Sequence, residues 1–171
     1  MNIDVRLYPF GKKTVLAQHD GIMIALLKSI VKKVGLENRV GQLLDVVRRF
    51  EGTGIRIVAL SINDSAECAF VRFLVSHPER GREILERAGL AIIESDLIGL
   101  ELPAGSQPLL QICAALLQAE INIIQAYPLI MAPGGVPAVA IMVDNTEIAL
   151  EMLAKNGFKM IHEDDLMDTA G

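Results

Sequence analysis

Few residues in this sequence have the types and spacing that chemistry needs. His162-Glu163-Asp164-Asp165 gathers four metal-binding groups. Neighbours along an extended chain point to alternate sides, however, and no second cluster completes a coordination sphere. The run reads as a solvated acidic stretch, and no metal or other cofactor is expected. Ser76-His77 puts a hydroxyl beside an imidazole, but neither that serine nor a cysteine is flanked by recognisable acid and base partners. Pro133-Gly134-Gly135 lacks the following helix that a phosphate-cradling loop requires and reads as a hairpin turn. Enzyme activity is therefore not expected. Cys68 and Cys113 are too few for a disulfide framework, fit a reducing interior and read as inert thiols. What remains is one turn, Glu37-Asn38-Arg39-Val40-Gly41. An asparagine amide both donates and accepts hydrogen bonds, and a glycine admits close approach of the backbone. The same two residues equally suit a helix cap and a tight turn with no ligand.

The elements around that turn occur twice. Gly54-Ile55-Arg56-Ile57 becomes Glu120-Ile121-Asn122-Ile123, 66 positions later, and Leu43, Val47 and Phe50 map at that offset onto Leu109, Cys113 and Leu116. Leu85, Gly89 and Leu90 land 68 positions on, at Leu153, Gly157 and Phe158. By Asp96-Leu97 and Asp165-Leu166 the offset is 69. Small slips between matched blocks are what loop insertions leave, so a single supersecondary unit has been used twice.

Each unit gives the same order of signals. In the first, Ser29–Leu36 reads as an opening strand despite Lys32 and Lys33, and Gly41–Glu51 as an amphipathic helix closed by Gly52 and Gly54. Ile55–Leu60 and Ala69–Val75 read as strands around the turn Asn63-Asp64-Ser65. Ser76-His77-Pro78-Glu79 reads as a capping box opening the helix Glu79–Ala88, and Leu90–Glu94 as a last strand. The second unit follows with strand Leu97–Leu102, helix Pro108–Ala119, strands Ile121–Met131 and Val136–Val143, and a capping box Asp144-Asn145-Thr146-Glu147. Its helix ends before Gly157, and Phe158–His162 closes it. In this alignment Cys113 takes the place of Val47, as a small core residue. The order β-α-β-β-α-β, twice, is the split βαβ, ferredoxin-like plan: an α+β fold of antiparallel sheets with the helices on one face. The other face of each sheet is left for the second unit to bury. The expected divisions are an N-terminal extension at 1–28, a first unit at 29–95 and a second at 96–167. The extension has no counterpart in the second unit, and Thr14–Gln18 in it reads as a strand.

Composition narrows the partners. A net charge of −5 and a pI near 5.2 speak against nucleic acid, which draws its affinity from a basic footprint, and against adsorption to an anionic membrane. The hydrophobic fraction of 51% is ample for a core, and aromatics at 4% make its packing aliphatic. Asp4 and Arg6 interrupt any apolar signal segment, and Ile22–Leu27 is too short to span a bilayer, so a cytoplasmic protein is expected.

The whole pattern resembles a tandem ACT-domain protein, over roughly residues 29–166. Leu36-Glu37-Asn38-Arg39-Val40-Gly41-Gln42-Leu43 is similar to that family's L-E-N-x-x-G-x-L entry into the first helix. Gly54-Ile55-Arg56-Ile57 is similar to its G-I-N-I strand start, Glu120-Ile121-Asn122-Ile123 keeps the asparagine, and Asn156-Gly157-Phe158 before the last strand is also typical. The resemblance implies a stand-alone, amino-acid-binding regulatory protein with its ligand between modules. It places that ligand at the turn Glu37, Asn38, Arg39, Val40 and Gly41, where helix N-terminal amides favour a carboxylate. The facing second strand of the partner module would add Gln125 and Tyr127. Tyr127 also suits a half-buried strand aromatic with no ligand. In the second unit Gln107 replaces Gly41 and Ala104 replaces Asn38, so one ligand site is expected rather than two. A homodimer is expected as well, from exposed sheet surface and strand edges. The other reading is a ligand-free interaction module docking on an enzyme, similar to the regulatory subunit of acetolactate synthase.

Overall fold

The fold is that of a computed structural model, which describes residues 18–19, 22–23, 27–34, 41–64, 69–130 and 132–167. Most of the N-terminal extension, including nearly all of the strand expected at Thr14–Gln18, lies outside them. Within it, β1 (Gln18–His19) pairs antiparallel with β2 (Ile22–Met23). The first module then runs β3 (Leu27–Val34), α1 (Gln42–Arg48), β4 (Ile57–Asp64), β5 (Ala69–Val75) and α2 (Pro78–Arg87). It ends in the first part of β6 (Ile92–Glu101), whose second part opens the next module. That module continues with α3 (Pro108–Gln118), β7 (Ile123–Pro128), β8 (Ala138–Val143), α4 (Thr146–Lys155), β9 (Met160–Ile161) and α5 (Glu163–Met167). The strands form a seven-stranded antiparallel sheet in the order β4-β5-β3-β6-β8-β7, with β9 also on β6. The α+β architecture of two βαββαβ modules is therefore the one the chain adopts.

The two modules meet along a single strand. Ile92–Leu97 of β6 pairs with β3, and Ile98–Glu101 pairs with β8. The separate strands expected at Leu90–Glu94 and Leu97–Leu102 are one, because Ser95-Asp96 contains no glycine or proline to break an extended chain. The division at 95/96 falls inside it.

Duplication extends to backbone detail. β4 carries an irregularity between Ile57 and Ala59, and β7 one between Ile123 and Gln125, again 66 apart. Ser76 Oγ accepts from Arg56 N at 3.0 Å, and Asp144 Oδ1 accepts from Asn122 N at 3.1 Å, at repeat-equivalent places. Ser76 is thus not the cap expected of it. His77 takes the N-cap position of α2, while the serine, just after β5, is buried beside the residue that precedes β4 and engages His77 Nδ1. In the second module Asn145 is the cap, its side chain accepting from Ile148 N at 3.2 Å.

Alternation along the strands sorts side chains into three cores. Val71, Phe73 and Val75 of β5 pack under Val46 of α1, Phe50 in the turn after it and Leu85 of α2. Val139, Ile141 and Val143 of β8 pack under Ile112 and Leu116 of α3 and Leu153 of α4. The opposite faces share the third core, which joins Val58, Ala59, Leu74 and Leu97 to Tyr127, Ala138, Ala140 and Ile161. Alanine at three of these places lets the backbones come close, and Ile130 N donates to Val58 O at 2.7 Å across the seam. The acidic stretch after His162 is not simply solvated: it forms α5, with Asp165 accepting from His162 N and Leu166 buried in the shared core. Arg56 Nη2 holds that helix by donating to Leu166 O at 2.7 Å. Leu97 and Leu166, equivalent in the repeat, thus end in the same core. Cys113 departs from its expected core place and is exposed. Its counterpart Val47 lies at the edge of its own core, and on α3 the buried positions are Ile112, Ala115 and Leu116.

Gly54 and Glu120 occupy equivalent left-handed positions, at φ 74° and 56°. A side chain there costs about 1–2 kcal/mol, partly offset by the greater unfolded-state freedom of glycine. Replacing Glu120 by glycine should therefore raise the unfolding free energy by roughly 0.5–1 kcal/mol in urea denaturation. An unchanged or lower stability would show that the turn carries no strain.

Candidate functional site

A polar cluster interrupts the shared core. Ala69–Val75 is apolar except for Arg72, which alternation sends away from the helices and into the seam. Ser61 is its cross-strand neighbour on β4. From the second module comes Tyr127 of β7, only 8% exposed. Arg72 Nη1 donates to the Tyr127 hydroxyl, which in turn donates to Gln125 Oε1. The guanidinium carbon lies 5.5 Å from the ring centre, and with Nη1 on the hydroxyl it sits at the polar end of the ring. Arg72, Ser61 and Tyr127 border a small open depression with room for about one water molecule, whose walls include Ala59, Leu74 and Leu97.

The cluster is incompletely satisfied. Arg72 Nε and Ser61 Oγ are buried and have no hydrogen-bond partner. Arg72 forms no ion pair with an acidic side chain among the described residues. A buried donor left unpaired costs about 1–3 kcal/mol, so two in one pocket are a destabilising feature of the folded chain. Burial pushes the Tyr127 phenol above its ordinary value. The charge and hydrogen bond of Arg72 oppose that rise without cancelling it, and the adjacent Ser61 hydroxyl opposes it less, completing no hydrogen bond of its own.

The residues expected to bind a ligand are divided. Gln125 and Tyr127 are brought together, joined by a hydrogen bond at the seam. Glu37, Asn38, Arg39 and Val40 lie outside the described residues. Gly41 is exposed, caps α1 at φ 95° and is not among the pocket's lining residues. Its counterpart Gln107 caps α3 at φ −136°, so the two turns are built differently. Arg72 and Ser61 escaped the reading of motifs. The signal was there in the strand Ala-Phe-Val-Arg-Phe-Leu-Val, where a lone arginine sits at an inward position. Among the described residues no group of three or more His, Cys, Asp or Glu side chains could hold a metal ion. No helix there is long and apolar enough to cross a membrane.

Comparison with known proteins fits this architecture. The family model described as "ACT domain pair" matches residues 27–170. Among solved structures, a Bacteroides thetaiotaomicron protein superposes with a TM-score of 0.74 at 22% identity, covering 84% of this chain and 96% of its own. The regulatory subunit of aspartate kinase from Thermus thermophilus gives 0.52 at 14% identity, covering 77% and 94%. No curated protein sequence matches.

The raised Tyr127 pKa makes a pH prediction. The native state holds the phenolic proton more tightly than the unfolded chain, whose tyrosines titrate near 10. Its contribution to stability is complete below that pH and is lost as pH rises through the folded value. Ultraviolet titration should therefore show one of the two tyrosines ionising above pH 10, and Tyr127→Phe should remove that component. A Tyr127 that ionises at or below 10 would contradict the described burial.

Proposed function

The chain belongs to the ACT domain pair family, and from that premise we propose that it is a non-catalytic regulatory protein that binds a small molecule, an amino acid, between its modules. The observation that carries this reading is the polar cluster at the seam, where residues of both modules border one pocket. A ligand held there touches both modules at once. Its binding energy can then shift their arrangement, which is what a regulator needs. The residues proposed to contribute are Glu37, Asn38, Arg39, Val40 and Gly41 of the first turn, with Gln125 and Tyr127 at the seam. The left-handed Gly41 limits how the turn can be tested, because any side chain there is strained. Asn38→Ala is the cleaner probe. The aspartate kinase regulatory subunit of Thermus thermophilus shares the fold, and a regulatory role in a cytoplasmic setting is in keeping with it.

We also propose a homodimer, formed through α3. Exposed sheet surface and strand edges are one expected basis for a dimer, and Ile62 of β4, Ile93 of β6 and Ile124 of β7 are exposed. Exposed apolar side chains occur elsewhere among the described residues, but three fall on the outer side of α3, where Leu109, Leu110 and Leu117 are 54%, 64% and 75% exposed. The helix has no charged residue, so two copies can pack antiparallel without like-charge repulsion. The same surface favours the second reading, docking on an enzyme in the manner of the acetolactate synthase regulatory subunit, which predicts no dependence on ligand.

A thermal-shift screen against the twenty amino acids tests the leading reading. A ligand at a hundredfold excess over its dissociation constant adds about 2.7 kcal/mol to the native state. A selective rise in Tm, diminished in Tyr127→Phe or Asn38→Ala, is expected; no rise for any of them favours docking. Light scattering should report a dimer that becomes a folded monomer on L110E with L117E, and a dimer that survives both changes would place the interface elsewhere.

A further inference from the structure

Duplication gives the surface of this chain an internal control. α1 and α3 are equivalent helices, related by the offset of 66 residues. α1 and the turn after it present Asp45, Arg48 and Glu51 to solvent. The same places in the second module hold Gln111, Ala114 and Leu117, which are also exposed. Three charges have become neutral side chains, although the module tolerates a charged outer side. Leu110 keeps the leucine of its counterpart Leu44, and Cys113 is exposed where Val47 is half-buried. Leu110, Cys113, Ala114 and Leu117 therefore form an outer stripe at the i, i+3, i+4, i+7 spacing of a helix that packs on another.

We propose that this stripe is the contact between two copies of the chain, with the α3 helices antiparallel and the two-fold axis between Cys113 and Ala114. The proposal rests on the reading that α3 pairs two copies, and it names the axis, the register and the residues that meet. The stripe reads the same in both directions, with a leucine at each end and two small residues in the middle. Under the two-fold, Leu110 meets the partner's Leu117, and Leu117 meets the partner's Leu110, as a self-complementary interface requires. Cys113 and Ala114 at the centre let the helix axes approach to the close end of the usual range of about 8–10 Å. The flanks of the stripe choose the antiparallel direction. At 3.6 residues per turn, the exposed Gln111 and Gln118 fall on one flank and Leu109 and Cys113 on the other. An antiparallel two-fold keeps like flanks together, so the glutamine amides, which both donate and accept, line one side of the pair. A parallel pair would set the glutamines of one copy against the apolar flank of the other. α3 has 11 residues and is about 16 Å long, which covers only part of the roughly 800 Å² per partner in a stable complex. The pair should therefore form and dissociate with protein concentration.

The test joins sedimentation velocity over a concentration series of the full-length protein to cross-linking with a short bis-maleimide. Cys68 is the only other cysteine, so Cys68→Ser leaves Cys113 as the single thiol. Two further variants lack both native thiols and carry Ala114→Cys or Gln107→Cys instead. The proposed axis sets the two copies of residue 107 about 20 Å apart along the helices, out of reach of the reagent. The expected result is a dimer that grows with concentration and cross-links through Cys113 and Ala114→Cys but not through Gln107→Cys. Ala114→Arg with Leu117→Glu gives α3 the outer residues that α1 has at Arg48 and Glu51, so the fold is expected to persist. That double variant should raise the dissociation constant of the dimer at least tenfold. Cross-linking through Gln107→Cys would mean a parallel or shifted pair and would overturn the proposed register. A dimer of unchanged affinity in the double variant overturns this proposal and leaves the homodimer reading standing with another interface. A wild-type protein that stays monomeric at every concentration, with no cross-link at Cys113, overturns both.

Discussion

The structure depends on one shared surface. In each module the helices cover one face of the strands, and the other face is apolar and must be buried. The chain meets that demand internally, by folding the two bare faces onto a common core of Ala59, Leu74, Leu97, Ala138 and Ala140. β6 makes this possible, because it is the last strand of one module and the first of the next. The C-terminal helix completes the arrangement, inserting Leu166 and accepting the Arg56 guanidinium on its last carbonyls. Neither module can be moved far without exposing this core, so any regulatory motion must act through small changes at the seam.

Against that background the polar cluster is the anomaly. Packing alone would favour aliphatic side chains where Arg72, Ser61 and Tyr127 stand. The chain instead keeps a cation hydrogen-bonded to a neutral phenol, and two unpaired buried atoms. Features that lower stability in an otherwise consistent core are where binding is to be sought. The placement also suits linkage: a ligand that interacts with both modules shifts their arrangement only by its preference for one of them.

Much of the fold was legible because the sequence states it twice. Matched blocks such as Leu85, Gly89 and Leu90 against Leu153, Gly157 and Phe158 identified corresponding helix ends, and Gly89 and Gly157 share left-handed φ values of 73° and 75°. Element types followed from periodicity. Errors arose where tertiary demand overrode local preference. Ser76 has the spacing of a helix cap, but the backbone amide just before β4 claims its oxygen. The run at Ile92–Glu101 looked like two strands since its halves serve different neighbours. Cys113 followed its repeat partner in sequence but not in burial, because α3 turns its outer side to solvent. The site was less legible. Family motifs pointed to Gln125 and Tyr127, whose pairing is on the same strand. Arg72 lies 55 positions from Tyr127, and only the fold brings the two together.

Hydrogen exchange of the full chain, with and without a saturating amino acid identified by its thermal shift, tests most directly whether the seam is the responsive element. If the account is right, ligand slows exchange in β4 and β7 together, the two strands from different modules that carry Ser61 and Tyr127. Slowing confined to a single module, or to α3 alone, would show that the ligand does not act between the modules and would contradict it.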